Sequence, residues 1–157
     1  MENYNEIKKQ KLNLKYEDDA LLVFIDENQA YHEYNFSRED VYIDLRVLVD
    51  SCFEPIDTDD FDGILTCSCG ASGCAGFYHF SSKIIDNEII WNVNHGDLFR
   101  FDKDQYVEEV KKSFELLITE CKKKKKLAYF AGQFVGVKFL EELYAPLKNY
   151  CSFTQNE

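Results

Sequence analysis

The stretch from Asp102 to Cys121 constrains the fold more than any other part of this chain. Tyr106, Val110, Phe114, Leu117 and Cys121 recur at helical spacing, and Val107 and Ile118 widen the same face. A helix with such a stripe needs an apolar layer to lie against. Asp102 reads as its N-cap, with Gln105 at the capping-box position three residues later. Lys122 to Lys126 close the helix, where positive charge opposes the negative end of its dipole. A phosphate or nucleic-acid patch is the sharper reading of those lysines, and the acidic remainder of the chain weighs against it.

The layer that receives the helix is written in alternating residues. Phe77 to Ile85 and Glu88 to Val93 flank Asp86-Asn87, a pair that tolerates the left-handed backbone of a tight hairpin. Leu98 to Phe101 add a further strand. Earlier, Leu12, Leu14 and Tyr16 alternate with polar residues, and Ala20 to Ile25 form a short apolar run between Glu17-Asp18-Asp19 and Asp26-Glu27-Asn28. Tyr31 to Phe36 continue this meander. Ser37 caps a helix through Val41, Leu45, Leu48, Val49 and Cys52, closed by Pro55, although Val41-Tyr42-Ile43 and Val47-Leu48-Val49 also suit a strand. A last helix covers Phe134 to Leu147, with Val137, Leu140, Tyr144 and Leu147 inward. The expectation is one α+β domain over residues 1–157, an antiparallel sheet of about five to seven strands packed by two or three helices.

Charge narrows the partners. With 29 acidic against 18 basic residues the net charge is −11. Such a surface repels nucleic acid and anionic membranes and draws basic partners. Asp57, Asp59, Asp60 and Asp62 crowd one loop around Phe61. A calcium loop starting at Asp57 would need an acidic or amide residue where Phe61 stands and glycine where Asp62 stands, so the loop reads as solvated acid. Phe61 would be its aromatic anchor. The start of the chain is polar, and the longest apolar region, Leu127 to Leu140, is interrupted by Gln133 and Lys138. Neither a secretory leader nor a membrane span is expected, which places the chain in the cytoplasm with reduced thiols.

Half of the six cysteines fall between Thr66 and Gly76. Cys67, Cys69 and Cys74 have the spacing C-x-C-x4-C among three glycines, which lets sulfurs converge on one tetrahedral ion. A structural zinc would take His79, His95 or Cys52 as fourth ligand. The alternatives are a glycine turn with small cysteines packed beneath it, or a reactive thiol. No C-x-x-C precedes a helix, and no G-x-S-x-G elbow, P-loop or dinucleotide-binding pattern occurs. Only His32, His79 and His95 could serve as bases near neutral pH. The chain does not read as an enzyme.

Leu65-Thr66-Cys67-Ser68-Cys69-Gly70, Gly73-Cys74-Ala75-Gly76, Ile90-Trp91 and Phe101-Asp102-Lys103-Asp104-Gln105-Tyr106 resemble a family of small, mostly uncharacterised bacterial cytosolic proteins. That family shares C-x-C-G-x-x-G-C, a hairpin with tryptophan and an F-D-x-x-Q-Y helix entry, and the match covers roughly residues 62–110. In size, charge and style the chain also resembles the immunity proteins of polymorphic and contact-dependent toxin systems. This second resemblance implies a binding protein that neutralises a basic toxin domain through its acidic surface, with Asp57, Asp59, Asp60, Phe61 and Asp62 as contacts. The rival expectation is a small zinc or thiol protein using Cys67, Cys69, Cys74 and His79 for metal binding or redox sensing. A plain structural role within a larger complex is the third.

Overall fold

The computed structural model describes residues 8–17, 20–26, 28–29, 41–43, 45–57, 65–67, 80–93, 96–124, 128–130 and 133–150. Among them a five-stranded sheet runs β1-β10-β9-β8-β6: β1 is Lys9–Gln10, β6 Ile56–Asp57, β8 Phe80–Ile85, β9 Glu88–Val93 and β10 Asp97–Asp102. It is antiparallel except at one edge, where β1 lies parallel to β10. Three smaller pairings accompany it. β2 (Leu12–Glu17), β3 (Ala20–Ile25) and β4 (Asn28–Gln29) form a meander. β5 (Val41–Ile43) pairs with β7 (Leu65–Cys67), and β11 (Ala128–Phe130) pairs with β12 (Gln133–Val135). The helices are α1 (Leu45–Ser51), α2 (Lys103–Lys124) and α3 (Val137–Lys148). The α+β expectation holds, with the main sheet at the lower end of the expected strand number.

Alternation decides which face of the sheet is covered. Ile89, Trp91 and Val93 on β9, Phe99 and Phe101 on β10, and Phe80 on β8 all join the core. Against them α2 lays Tyr106, Val107, Val110, Phe114 and Leu117, each fully buried. The indole of Trp91 sits edge-on to four rings, with centroids 4.9 Å from Phe101, 5.3 Å from Phe80, 6.0 Å from Tyr106 and 6.3 Å from Phe99. Edge-to-face geometry puts the positive rim of one ring against the negative face of another. Leu140, Leu143 and Leu147 bring α3 into the same core, and Leu45, Leu48 and Val49 bring α1.

The polar atoms of Trp91, Tyr106 and Ser51 inside this core form one connected series. The Trp91 indole N–H donates to the Tyr106 hydroxyl oxygen at 3.2 Å. Tyr106 and Ser51 share a bond of 2.7 Å, and the Ser51 hydroxyl donates to the Leu48 carbonyl at 2.7 Å. Because Ser51 spends its one proton on Leu48, the Tyr106 hydroxyl must donate to Ser51. Each polar hydrogen of Trp91, Tyr106 and Ser51 thus has an acceptor, as burial demands.

Turn chemistry matches the sequence. Asp86 adopts φ 55° in the hairpin between β8 and β9, and Asp26 adopts φ 58° after β3. Short acidic side chains tolerate this left-handed region because they bond locally. Around Asp26 the bonds are explicit: its carboxylate accepts from the Lys11 amide at 2.9 Å, and its own amide donates to the Lys11 carbonyl at 2.7 Å.

Three elements differ from the sequence reading. Val41–Ile43 is a strand and the first helix begins only at Leu45, because pairing with Leu65–Cys67 satisfies the β-branched run. The last helix begins at Val137 rather than Phe134, since Gln133–Val135 return as a hairpin strand. The third difference concerns Gln105. Asp102 caps α2 as expected, accepting from the Gln105 amide at 3.0 Å, but the Gln105 side chain does not fold back to close a capping box. Its amide reaches β2, donating to the Leu12 carbonyl at 2.7 Å and accepting from the Leu12 N–H at 3.1 Å. A side-chain amide has the same donor and acceptor as a peptide, so Gln105 stands in for a neighbouring strand. Glu109, one turn on, receives the Leu14 amide at 3.5 Å.

Three stability outcomes follow. Tyr106→Phe leaves the indole N–H without an acceptor and should cost about 1–3 kcal/mol, whereas Trp91→Ala, which empties the centre of the core, should cost about 3–5 kcal/mol. Gln105→Leu preserves the size of the side chain but strands both peptide groups of Leu12, at about 1–3 kcal/mol. Urea unfolding monitored by circular dichroism reads all three. A neutral Gln105→Leu would show that water satisfies Leu12 equally well.

Candidate partner-binding surface

Seven residues after Leu45 the apolar stripe of α1 ends in Cys52, and the chain turns sharply. The amides of Phe53 and Glu54 both donate to the Asp50 carbonyl at 3.0 Å, which locks the turn. Phe53 falls off the helical stripe and points outward, 40% exposed, one of two large apolar side chains so exposed among the described residues. Glu54, Pro55 and Asp57 follow it on the surface. Ile56 and Asp57 then pair with Ser82 and Ser81 as the edge strand of the main sheet.

The ring of Phe53 meets Tyr150 edge-on, with centroids 6.4 Å apart. Tyr150 follows α3, and its hydroxyl donates to the carboxylate of Asp104 in the first turn of α2. The other oxygen of Asp104 accepts from the Asn87 side chain at 3.2 Å. Burial, the bond to Asp104 and the nearby charges of Glu108 and Asp102 all push the Tyr150 hydroxyl well above the usual tyrosine range. The aromatic pair is therefore held from two sides, by a locked turn and by a pinned hydroxyl.

The residues expected to form sites are distributed unevenly. Asp57 is exposed at the edge of this surface, while Asp59, Asp60, Phe61 and Asp62 lie outside the described residues. Cys67 lies on β7 opposite Val41, and Cys69, Cys74, His79 and His95 lie outside the described residues. Cys52 is fully buried, with its thiol 3.6 Å from the Leu48 carbonyl, and burial pushes that thiol far above its ordinary pKa. Among the described residues no cluster of three or more histidine, cysteine or carboxylate side chains could hold a metal ion. Sequence reasoning chose Phe61 as the anchor and passed over Phe53. The available signal was that Phe53 breaks the spacing of Leu45, Leu48, Val49 and Cys52 immediately before Glu54-Pro55.

Two clefts open on the described surface. A polar one of about 610 Å³ lies where Asn13, Lys15 and Asp26 face Glu109 and Lys112 of α2. A more apolar one of about 340 Å³ runs between Ile118 and Lys122 of α2 and Tyr144, Ala145 and Lys148 of α3. At its rim the Tyr144 hydroxyl donates to Glu115 at 2.5 Å, and Lys122 pairs with Glu141 at 3.2 Å. No helix among the described residues is long and apolar enough to cross a membrane.

No protein-family model, curated protein or solved structure matches this chain. The resemblance over residues 62–110 therefore rests on the quoted residues alone.

The tyrosines that tie α3 to α2 give a pH test. Burial and the Glu115 carboxylate raise Tyr144 from its ordinary 10.0 to about 12. A folded pKa above the unfolded one means that the bond stabilises the fold fully below pH 10.0 and is lost as pH rises through about 12. Absorbance at the phenolate band should show Tyr144 ionising after exposed tyrosines, with stability falling across that window. Tyr144→Phe should flatten the fall. An unchanged alkaline profile in that variant would remove Tyr144 from the account.

Proposed function

We propose that this chain is an immunity-type protein that binds a basic toxin domain and neutralises it through its acidic surface. The observation that carries the reading is the net charge of −11 combined with a rigid, exposed aromatic on an acidic segment. Residues 50–62 contain six carboxylates and no basic residue. An acidic field of this kind speeds encounter with a cationic partner, and a fixed aromatic supplies the anchor that charge alone lacks. A toxin that cleaves nucleic acid must present cations where phosphates bind, and an acidic protein occupies that region by the same attraction.

The test begins with the DNA that flanks the gene. A neighbouring open reading frame for a large secreted protein with a variable C-terminal domain supplies the partner. Co-expression of this chain should restore growth of cells making that domain, and the two should co-purify. Raising salt from about 50 to about 500 mM should weaken the complex by roughly tenfold or more, because steering charges are screened. Replacing Asp57, Asp59, Asp60 and Asp62 together by Asn should weaken it at low salt. Metabolic or redox neighbours, or a domain that stays toxic beside this chain, would rule the reading out.

A further inference from the structure

Two acidic segments distant in sequence converge on one aromatic pair. Phe53 brings Asp50, Glu54 and Asp57 from the end of α1, and Tyr150 binds the start of α2, which carries Asp102, Asp104 and Glu108. Asp104 is buried beneath Tyr150, so five of these carboxylates remain to face Lys103, Lys148 and Lys9, whose ammonium lies 3.9 Å from Asp102. A single exposed phenylalanine is ordinary on a protein surface. This one differs because two backbone bonds fix its turn and because its neighbouring ring is tethered to a buried aspartate.

We propose that the Phe53–Tyr150 pair and its carboxylate rim form a docking surface for an arginine-bearing cationic segment of a partner protein. The proposal rests on the binding reading above and specifies the partner chemistry. Charge complementarity selects a cation, and the same carboxylates repel nucleic acid. Arginine fits better than lysine because a planar guanidinium can lie on the Phe53 face while its N–H groups fork onto Glu54 or Asp57. The ammonium of lysine is compact and strongly hydrated, so it gains less from the ring. Since turn and ring are already fixed, little conformational freedom is lost on binding.

The experiment titrates the full-length, isotopically labelled chain with a short arginine-rich peptide, its lysine counterpart and a neutral glutamine counterpart. Amide shift changes should concentrate at residues 53–57, 102–108 and 150. The arginine peptide should bind roughly three- to tenfold more tightly than the lysine peptide. Phe53→Ala should weaken the arginine peptide by roughly tenfold. Phe53→Leu, which keeps an apolar side chain at the turn, should melt like the wild type and erase the preference for arginine. Shift changes spread over all acidic residues, equal binding of the two cationic peptides, no binding, or an unaltered preference in Phe53→Leu would each overturn the proposal. A wild-type chain that neutralises its neighbouring toxin but fails the peptide titration loses this docking surface alone. One that passes the titration yet leaves the toxin active loses the immunity reading alone.

Discussion

Trp91 is the point on which the rest of the structure depends. From the central strand β9 its indole meets rings of both flanking strands, β8 and β10, and of the long helix, so it fixes the distance between sheet and helix. Its one polar hydrogen would be costly inside such a core. The route through Tyr106 and Ser51 to the Leu48 carbonyl removes that cost and, in doing so, ties the first helix to the sheet. A Phe at position 91 could fill part of the space but could not orient Tyr106. The aromatic cluster therefore specifies a geometry as well as burying area.

From that centre the long helix organises the N-terminal strands by a different means. Gln105 and Glu109 lie one helical turn apart, and successive inward-facing amides of β2, at Leu12 and Leu14, come within their reach. Two side chains thus cover an edge that another strand would otherwise have to pair. This is one way to manage an open strand edge, which otherwise invites association with other chains. At the β1 edge of the main sheet, Lys9 and Arg100 close on Glu88 at 3.2 and 2.7 Å. Burial tends to raise that carboxyl, but the bonds from Arg100 and Lys9 outweigh it and hold Glu88 below its ordinary pKa.

The aromatic pair at Phe53 and Tyr150 is a by-product of the same framework. The first helix ends where Cys52 reaches the core, so the next residue is forced outward, and the third helix delivers Tyr150 to the capped end of the long helix. Nothing in the core requires Phe53 to be aromatic, since the fold has already closed beneath it. A side chain 40% exposed at a hydrogen-bonded turn, packed on Tyr150 and flanked by acidic residues, is suited to meeting another molecule. Beneath that turn the Cys52 thiol is enclosed in the core, and burial makes it difficult to ionise.

Periodicity alone determined the long helix, the hairpin through Asp86-Asn87 and the apolar faces that meet in the core, because burial imposes repeats of 3.6 and 2 on the residues themselves. The Asp102 cap was legible for the same local reason. Short elements were not. Val41–Ile43 is a strand only because Leu65–Cys67, more than twenty residues later, offers it a partner. Gln105 bears a capping-box signature, and only the arrival of β2 beside the helix redirected its amide to Leu12. The acidic character of the chain was plain from composition. That Asp50 to Asp57 and Asp102 to Glu108 share one surface, joined by Phe53 and Tyr150, was decided by the packing of three helices, which no local pattern records.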